Sequence, residues 1–327
     1  MEQTSLLHLN QHEFGALIER YRGELQAHTY RMLGTIQDAE DMVQETFLRA
    51  WKRRETYTED TSLRAWLYKI ATNICLDTLK KQRRRVIPMT FSEAANAAEP
   101  IPPAVMEPIW IDPYPDELLA WGDPQPEQQV LAQENISIAF LAALQLLPPR
   151  QRAVLILSDV LEWSASEIAD LLDTSVSAVK SALHRARAGM DDNAAGDVAL
   201  PHGDALRAQL EAYVMAWQTA DVDGLIRLLR DDATFSMPPI PSWYHGREQI
   251  RALVAKTIFA GDARGRWQLR PTRANGQIAF GLYRRADTDG YQAYGIQVLT
   301  FRGGLLADII TFRSPALMRY FGLPTSI

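Results

Sequence analysis

Apolar residues recur at three- and four-residue steps through "DAEDMVQETFLRAWK". Ala39, Met42, Val43, Phe47 and Trp51 fall on one stripe of a helix and should be buried together. The remainder, Asp38, Glu40, Asp41, Gln44 and Glu45, is left on the outer side. Helical periodicity continues from about Glu13 to Arg85 and predicts an all-α segment. It stops at "VIPMTFSEAANAAEPIPPAVMEPIWIDPYPDELLAWGDPQPEQ", where frequent prolines remove backbone donors and bias their predecessors toward extended backbone. That stretch reads as a linker without an ordered core. A second helical block runs from about Val130 to Met190, and the proline pair in "LLPPRQRAVLILSDVLEWS" suits a helix start.

After "NAAGDVALPHG" the pattern changes once more. Two amphipathic helices, "ALRAQLEAYVMAWQTA" and "VDGLIRLL", lead into short β-branched and aromatic runs, "ATFSMPP", "RWQLRPTRAN", "QIAFGLYRRA", "YQAYGIQVLTFRGG" and "LLADIITFRS". The expected fold is therefore multidomain, with two all-α domains followed by an α+β domain. The expected boundaries are 10–86, a proline-rich linker at 87–127, then 128–192 and 204–327.

Within the second block, "SASEIADLLDTSVSAVKSALHRARAGM" gives two helices around "DTS". Ile168, Leu171 and Leu172 pack the first, Val176, Val179 and Leu183 the second, and Ser175 is placed to cap the second. This is the pattern of a helix-turn-helix, whose second helix enters the DNA major groove. The face opposite the apolar stripe carries Ser177, Lys180, Ser181, His184 and Arg185. Cations there can read guanine edges or hold phosphates, and serines let the backbone come close.

A net charge of −6 over 327 residues argues against nucleic acid only until it is read by segment. From Ser62 to Val86, seven Lys and Arg face Asp77 alone, a local charge of +6. That segment, "TSLRAWLYKIATNICLDTLKKQRRR", interleaves aromatics with cations on one amphipathic helix, a composition suited to a melted strand whose bases can stack. Asn73 offers a donor and an acceptor to the edge of an extruded base. For Trp66 two readings stand, base stacking and core packing beside Leu67, Ile70 and Ile74. Cys75 is the only cysteine, which excludes disulfides within the chain and cysteine-rich zinc sites. No apolar run is long enough to span a bilayer, and the N-terminus lacks a signal-peptide pattern, so a cytoplasmic protein without membrane partners is expected.

These motifs, in this order and spacing, resemble regions 2 and 4 of bacterial sigma-70 family sigma factors of the extracytoplasmic-function group, over roughly residues 10 to 190. The resemblance implies that the "DAEDMVQE" helix, with Asp38, Glu40, Asp41, Gln44 and Glu45, docks on the β′ clamp helices of RNA polymerase core, the β flap being a further contact. It implies that Arg64, Trp66, Lys69, Asn73, Lys80, Arg83 and Arg84 take up the melted −10 strand, with Asn73 at the flipped-base pocket. Ser177, Lys180, Ser181, His184 and Arg185 would then read the −35 element. A subunit of this kind borrows affinity from the polymerase, so an acidic protein-facing surface and basic promoter-facing surfaces coexist in one chain.

From about residue 204 the chain is similar to the SnoaL/NTF2-like superfamily, carried by "AYVMAWQTADVDGLIRLLRDDATFSMPP" and "YHGREQIRALV", which implies a cone-shaped α+β fold around a pocket. The positions of the isomerase base and oxyanion-hole acid of some members fall on Met237 and Gln297, and only the oxyanion tyrosine keeps a counterpart, Tyr213. A thioether cannot abstract a proton, so isomerase chemistry is not expected; the chain is expected to have no catalytic residue, metal or cofactor. Tyr213, Met237, Trp243 and Gln297 are candidates to line a pocket for a small apolar ligand. The whole arrangement resembles the sigma-G-like and sigma-J-like subgroup, in which the extra domain is thought to regulate in cis. Trp110, Tyr114 and Trp121 could fix the linker to that domain or pass near the polymerase active centre. Two other readings remain: a one-component helix-turn-helix regulator with a ligand-binding domain, and an enzyme fused to a DNA-binding module.

Overall fold

The first helical block folds as α1 (Gln11–Glu19), α2 (Arg22–Leu33), α3 (Ile36–Lys52) and α4 (Leu63–Leu79). Side chains set the starts: Asn10 forms a capping box with Glu13, Thr35 accepts from the Asp38 amide and Ser62 from the Ala65 amide. α2 stops at Gly34, which takes φ +84°, and a Cβ there would meet Arg85 Cβ at 3.3 Å. Only glycine meets both demands easily. The computed structural model describes residues 6–58, 61–105, 109–118, 136–191, 204–287 and 290–327, so the aromatic expected at Trp121 lies outside the described residues.

The second helical block comprises α5 (Ile138–Leu146), α6 (Pro149–Leu155), α7 (Ala165–Leu171) and α8 (Val176–Asp191). Both blocks belong to one unit, Met1–Arg85 with Leu118–Ala194. Arg152, 2% exposed, joins them. Its guanidinium donates to Met32 O at the end of α2, to Gln145 Oε1 at 2.5 Å, and to the Gln145 and Leu147 carbonyls at 3.1 and 3.3 Å. Carbonyls at helix ends, which lack intrahelical partners, are thereby satisfied. Burial pushes the Arg152 pKa down to about 10.

The second unit contains Val86–Glu117 and Ala195–Ile327. Helices α9 (Asp204–Thr219), α10 (Val222–Arg227) and α11 (Arg247–Leu253) accompany strands β1 (Leu229–Ser236), β2 (Trp243–His245), β3 (Trp267–Ala274), β4 (Gln277–Arg285), β5 (Tyr291–Arg302) and β6 (Leu305–Phe312). The sheet order is β2-β1-β6-β5-β4-β3, antiparallel except for β1 with β6. Register shifts between Leu282 and Tyr283 and between Thr300 and Phe301 mark irregularities of the kind that bend strands. Tyr213, Trp217, Phe235, Tyr244, Phe280 and Phe301 form part of one core between helices and sheet.

The proline-rich stretch departs from expectation. Ile109, Ile111 and Tyr114 are buried, and Val86 to Glu117 is stitched to the C-terminal domain. Ala95 N donates to Trp243 O at 2.8 Å, Val105 N to Pro239 O at 2.9 Å, and Tyr114 N to Asn275 Oδ1 at 2.7 Å. Prolines prevent this segment from forming its own ladder, but its remaining amides can still be satisfied by a neighbouring domain. Of the two roles open to Tyr114, anchoring to the third domain is the one found. No helix among the described residues is long and apolar enough to cross a membrane.

Candidate nucleic-acid and polymerase interfaces

On α3 the buried stripe is Ile36, Ala39, Val43, Thr46 and Ala50, while Met42, Phe47 and Trp51 are half-buried. Asp41 and Gln44 are exposed, and Glu40 and Glu45 are half-buried. Among the described residues, Glu45 and Asp38 of the expected docking set are hydrogen-bonded to side chains of this chain. Glu45 Oε1 accepts from Arg49 Nε at 2.6 Å, and Asp38 Oδ2 accepts from Arg85 Nη2 at 2.6 Å. The Arg85 side chain is only 7% exposed, so Asp38 serves first as the counter-ion of a buried guanidinium.

On α4, Lys69, Asn73 and Asp77 are four residues apart, with Lys80 three further on, which puts them along one face. Asn73, Lys80, Arg83 and Arg84 are exposed, and Asp77 pairs with Lys80 at 2.8 Å. Trp66 is packed in the fold. It is 9% exposed and packs on Tyr57 with ring centroids 5.5 Å apart, because it shares the stripe of Ile70 and Ile74. Tyr68 is also enclosed, with its hydroxyl 3.2 Å from Glu24 Oε2 and its pKa raised by burial. Glu24 also accepts from Arg64 Nε at 2.7 Å. Behind this face, His28 is fully buried with Nε2 2.9 Å from Thr72 Oγ1, and burial, then the charges of Arg31 and Arg64, lowers its pKa to about 3.

In the helix-turn-helix, α7 opens with a Ser164–Glu167 capping box. Asp173 takes φ +49° in the turn, and Ser175 Oγ accepts from the Ala178 amide at 3.2 Å. Val179 and Ala186 are buried and Leu183 half-buried. Val176, expected to pack, is 39% exposed. It is the first residue of α8, and helical side chains tilt toward the N-terminus, here off the packed end. Ser177, Lys180, Ser181, His184 and Arg185 are all exposed on one face.

Sequence reasoning missed Trp163 and Asp173, which meet the α4 surface. Lys69 Nζ donates to Asp173 Oδ1 at 2.6 Å and to Asp170 O at 3.2 Å. The Trp163 ring lies 5.3 Å from that of Tyr68 and 5.7 Å from the Arg64 guanidinium carbon. No periodicity signals contacts between residues so far apart in sequence.

In the C-terminal domain, Tyr213, Met237 and Gln297 are at most 5% exposed and closed into the core. Tyr213 OH donates to Gln297 Oε1 at 2.6 Å, and Gln297 Nε2 to Thr311 Oγ1 at 2.8 Å. Trp243 turns its indole N–H to Ser92 O at 2.8 Å. Tyr213 and Gln297 are therefore bonded to one another, Met237 is packed in the core, and Trp243 is bonded to the linker. Open space lies elsewhere, in a groove of about 780 Å³ walled by Leu206, Leu210, Val214, Met215, Ile278 and Phe280.

The family model for Sigma-70 region 2 matches residues 17–85, that for Sigma-70 region 4 matches 137–190, and that for a SnoaL-like domain matches 210–309. The chain is 40% identical to the ECF RNA polymerase sigma factor SigG of Mycobacterium tuberculosis, over 96% of this chain and 85% of the relative. It is 29% identical to SigJ of the same organism, over 91% of this chain and 90% of the relative. The crystal structure of M. tuberculosis SigJ superposes with a TM-score of 0.60 at 22% identity, covering 94% of this chain and 99% of that one, and so shares the fold. Two sigma regions in order, followed by a SnoaL-like domain, and 40% identity along nearly the whole length lead to one conclusion: the chain belongs to the extracytoplasmic-function RNA polymerase sigma factors that carry a C-terminal SnoaL-like domain.

Proposed function

We propose that this sigma factor docks on polymerase core through the acidic side of α3, captures the melted −10 strand on the Asn73 face of α4, and reads the −35 element with α8. The observation that carries this reading is the separation of charge: Glu40 and Asp41 on α3, Lys80 and Arg84 at and just beyond the end of α4, which also exposes Asn73, and Lys180 and Arg185 on α8. Asp38 and Trp66 enter only indirectly, as packing and counter-charge. The chain acts in the cytoplasm, where polymerase and promoter are.

The C-terminal domain regulates in cis by holding the linker. A ligand changes that hold only through different affinity for two arrangements of the chain. The groove beside α9 supports a small apolar molecule as that ligand, its volume falling in the roughly 300–1,000 Å³ range of such sites. Run-off transcription with purified core polymerase tests the proposal, comparing the full chain with one ending near residue 200. Promoter-dependent transcripts are expected with at least one form, at different levels. Failure of both to start transcription at any promoter refutes it.

A further inference from the structure

The −10 surface is partly occupied by the chain itself. Lys69, one of its cations, is bonded to Asp173 in the helix-turn-helix turn and to the Asp170 carbonyl at the end of α7. Arg64 is held between Glu24, at 2.7 Å, and the face of Trp163. Between α4 and the helix-turn-helix lies a cavity of about 930 Å³ with a sorted lining: Arg64 and Lys69 on one wall, Glu162, Glu167 and Asp170 on the other. A DNA strand approaching Lys69 must bring a phosphate oxygen to the place where the Asp173 carboxylate stands, beside carboxylates that repel it.

We propose that the turn and first helix of the helix-turn-helix are an intramolecular substitute for promoter phosphates, latching region 4 onto the strand-capturing face of region 2. The proposal rests on the reading of α4 as the −10 surface and adds its regulation. The latch is one-sided: Ser177, Lys180, Ser181, His184 and Arg185 stay exposed while it is closed, so −35 reading is left free and strand capture is masked. Arg152 anchors the other side of the same contact at the end of α2, which leaves the α4–α7 side as the part a strand displaces.

The latch is weak by construction. The Lys69 and Asp173 side chains are 37% and 74% exposed, and an ion pair that open is worth about a two- to five-fold shift. The ring contacts of Trp163 with Tyr68 and Arg64 add a further factor of about two to ten. Those factors are measurable, yet small beside the interactions a polymerase can offer.

The test titrates the full chain, without polymerase, into a short fluorescein-labelled single-stranded oligodeoxynucleotide of mixed sequence and reads anisotropy. Asp173→Asn keeps a residue type that tolerates positive φ and removes the charge. It is expected to lower Kd about two- to five-fold, and Asp173→Asn with Trp163→Ala about ten-fold or more. Glu248→Gln, an equal charge change on the C-terminal domain, controls for net charge. Equal Kd values for Asp173→Asn and Glu248→Gln overturn the latch, and this comparison does not depend on how the tryptophan variant folds. Absence of run-off transcription would instead sink the promoter reading, so the two failures are distinguishable.

Discussion

Replacing Asp38 with asparagine separates two roles of one carboxylate, the polymerase docking that the sequence resemblance implies and the ion pair with Arg85 found in the fold. In the folded chain Asp38 holds Arg85 at 2.6 Å, with side-chain exposures of 20% and 7%, and Arg85 Nε has no hydrogen-bond partner of its own among the described residues. Breaking a buried pair by removing one member costs about 3–5 kcal/mol, because the other charge is stranded. Water reaching the partly open Asp38 site reduces this to about 2–3 kcal/mol. For a domain of this size each kcal/mol moves the melting temperature by about 2–4 °C, so Asp38→Asn should melt about 4–12 °C lower. Asp41, exposed on the same helix, should change stability by less than about 0.5 kcal/mol when replaced by asparagine, while weakening the complex with core polymerase. Thermal melts followed at the helical circular-dichroism band, combined with core-binding titrations, give both readouts. Replacing Asp38 and Arg85 together with asparagine and methionine should recover part of the loss, since no charge is then left buried. If Asp38→Asn melts like the parent and binds core as weakly as Asp41→Asn, the ion-pair assignment is wrong and Asp38 faces the polymerase.

Three further outcomes are expected. His28 has a folded pKa of about 3 against 6.5 unperturbed, so the unfolded chain takes up the proton first. Its contribution is complete above pH 6.5 and falls by about 1.4 kcal/mol per unit as pH drops toward 3, about 2 kcal/mol lost by pH 5. Urea midpoints at pH 7.5 and pH 5 should differ less in His28→Leu than in the parent. Asn73→Ala should leave core binding intact and weaken open-complex formation, read as reduced permanganate reactivity in the bubble. Lys180→Ala and Arg185→Ala should lower affinity for −35 DNA by about 1–3 kcal/mol where they read bases. Equal loss on every sequence would mark them as phosphate contacts.

What could be read from the chain was what short-range periodicity encodes. Short β-branched and aromatic runs set off by Gly, Asn and Asp identify the strands at Trp267–Ala274, Gln277–Arg285 and Leu305–Phe312. Three- and four-residue spacing places Ser177, Lys180, Ser181, His184 and Arg185 on one open face. Whether a polar residue stays free was harder to read, because its partner is remote. Asp38 meets Arg85, 47 residues on, and Lys69 meets Asp173, 104 residues on. Trp66 carried two readings in the sequence, and its contact with Tyr57, nine residues earlier and outside the helix, is one that helical periodicity does not show. The linker misled for a different reason. Proline density reports that a segment cannot build its own ladder, and says nothing of a neighbour such as the β3–β4 turn that can satisfy it.

That turn is where regulation through the linker becomes testable. Asn275 and Gly276, both at positive φ, connect β3 to β4 and grip the linker from two sides. Asn275 Oδ1 accepts from Tyr114 N at 2.7 Å, Asn275 N donates to Tyr114 O at 2.8 Å, and Asp116 accepts from Gly276 N at 2.7 Å and Arg273 Nε at 3.0 Å. Pro271, Ile278 and Phe280, from the strands that make this turn, also wall the apolar groove, so a molecule lodged there presses on the element that holds Tyr114. Asn275→Ala removes a buried acceptor and places a Cβ-bearing residue without an amide at positive φ, about 2–3 kcal/mol in all. Hydrogen exchange over residues 109–118 should quicken by about 30- to 150-fold, and run-off activity of the full chain should move toward that of the chain ending near residue 200. Faster exchange with unchanged transcription would mean that the linker is held for stability alone. Unchanged exchange would mean that Tyr114 is held by its buried ring rather than by the turn.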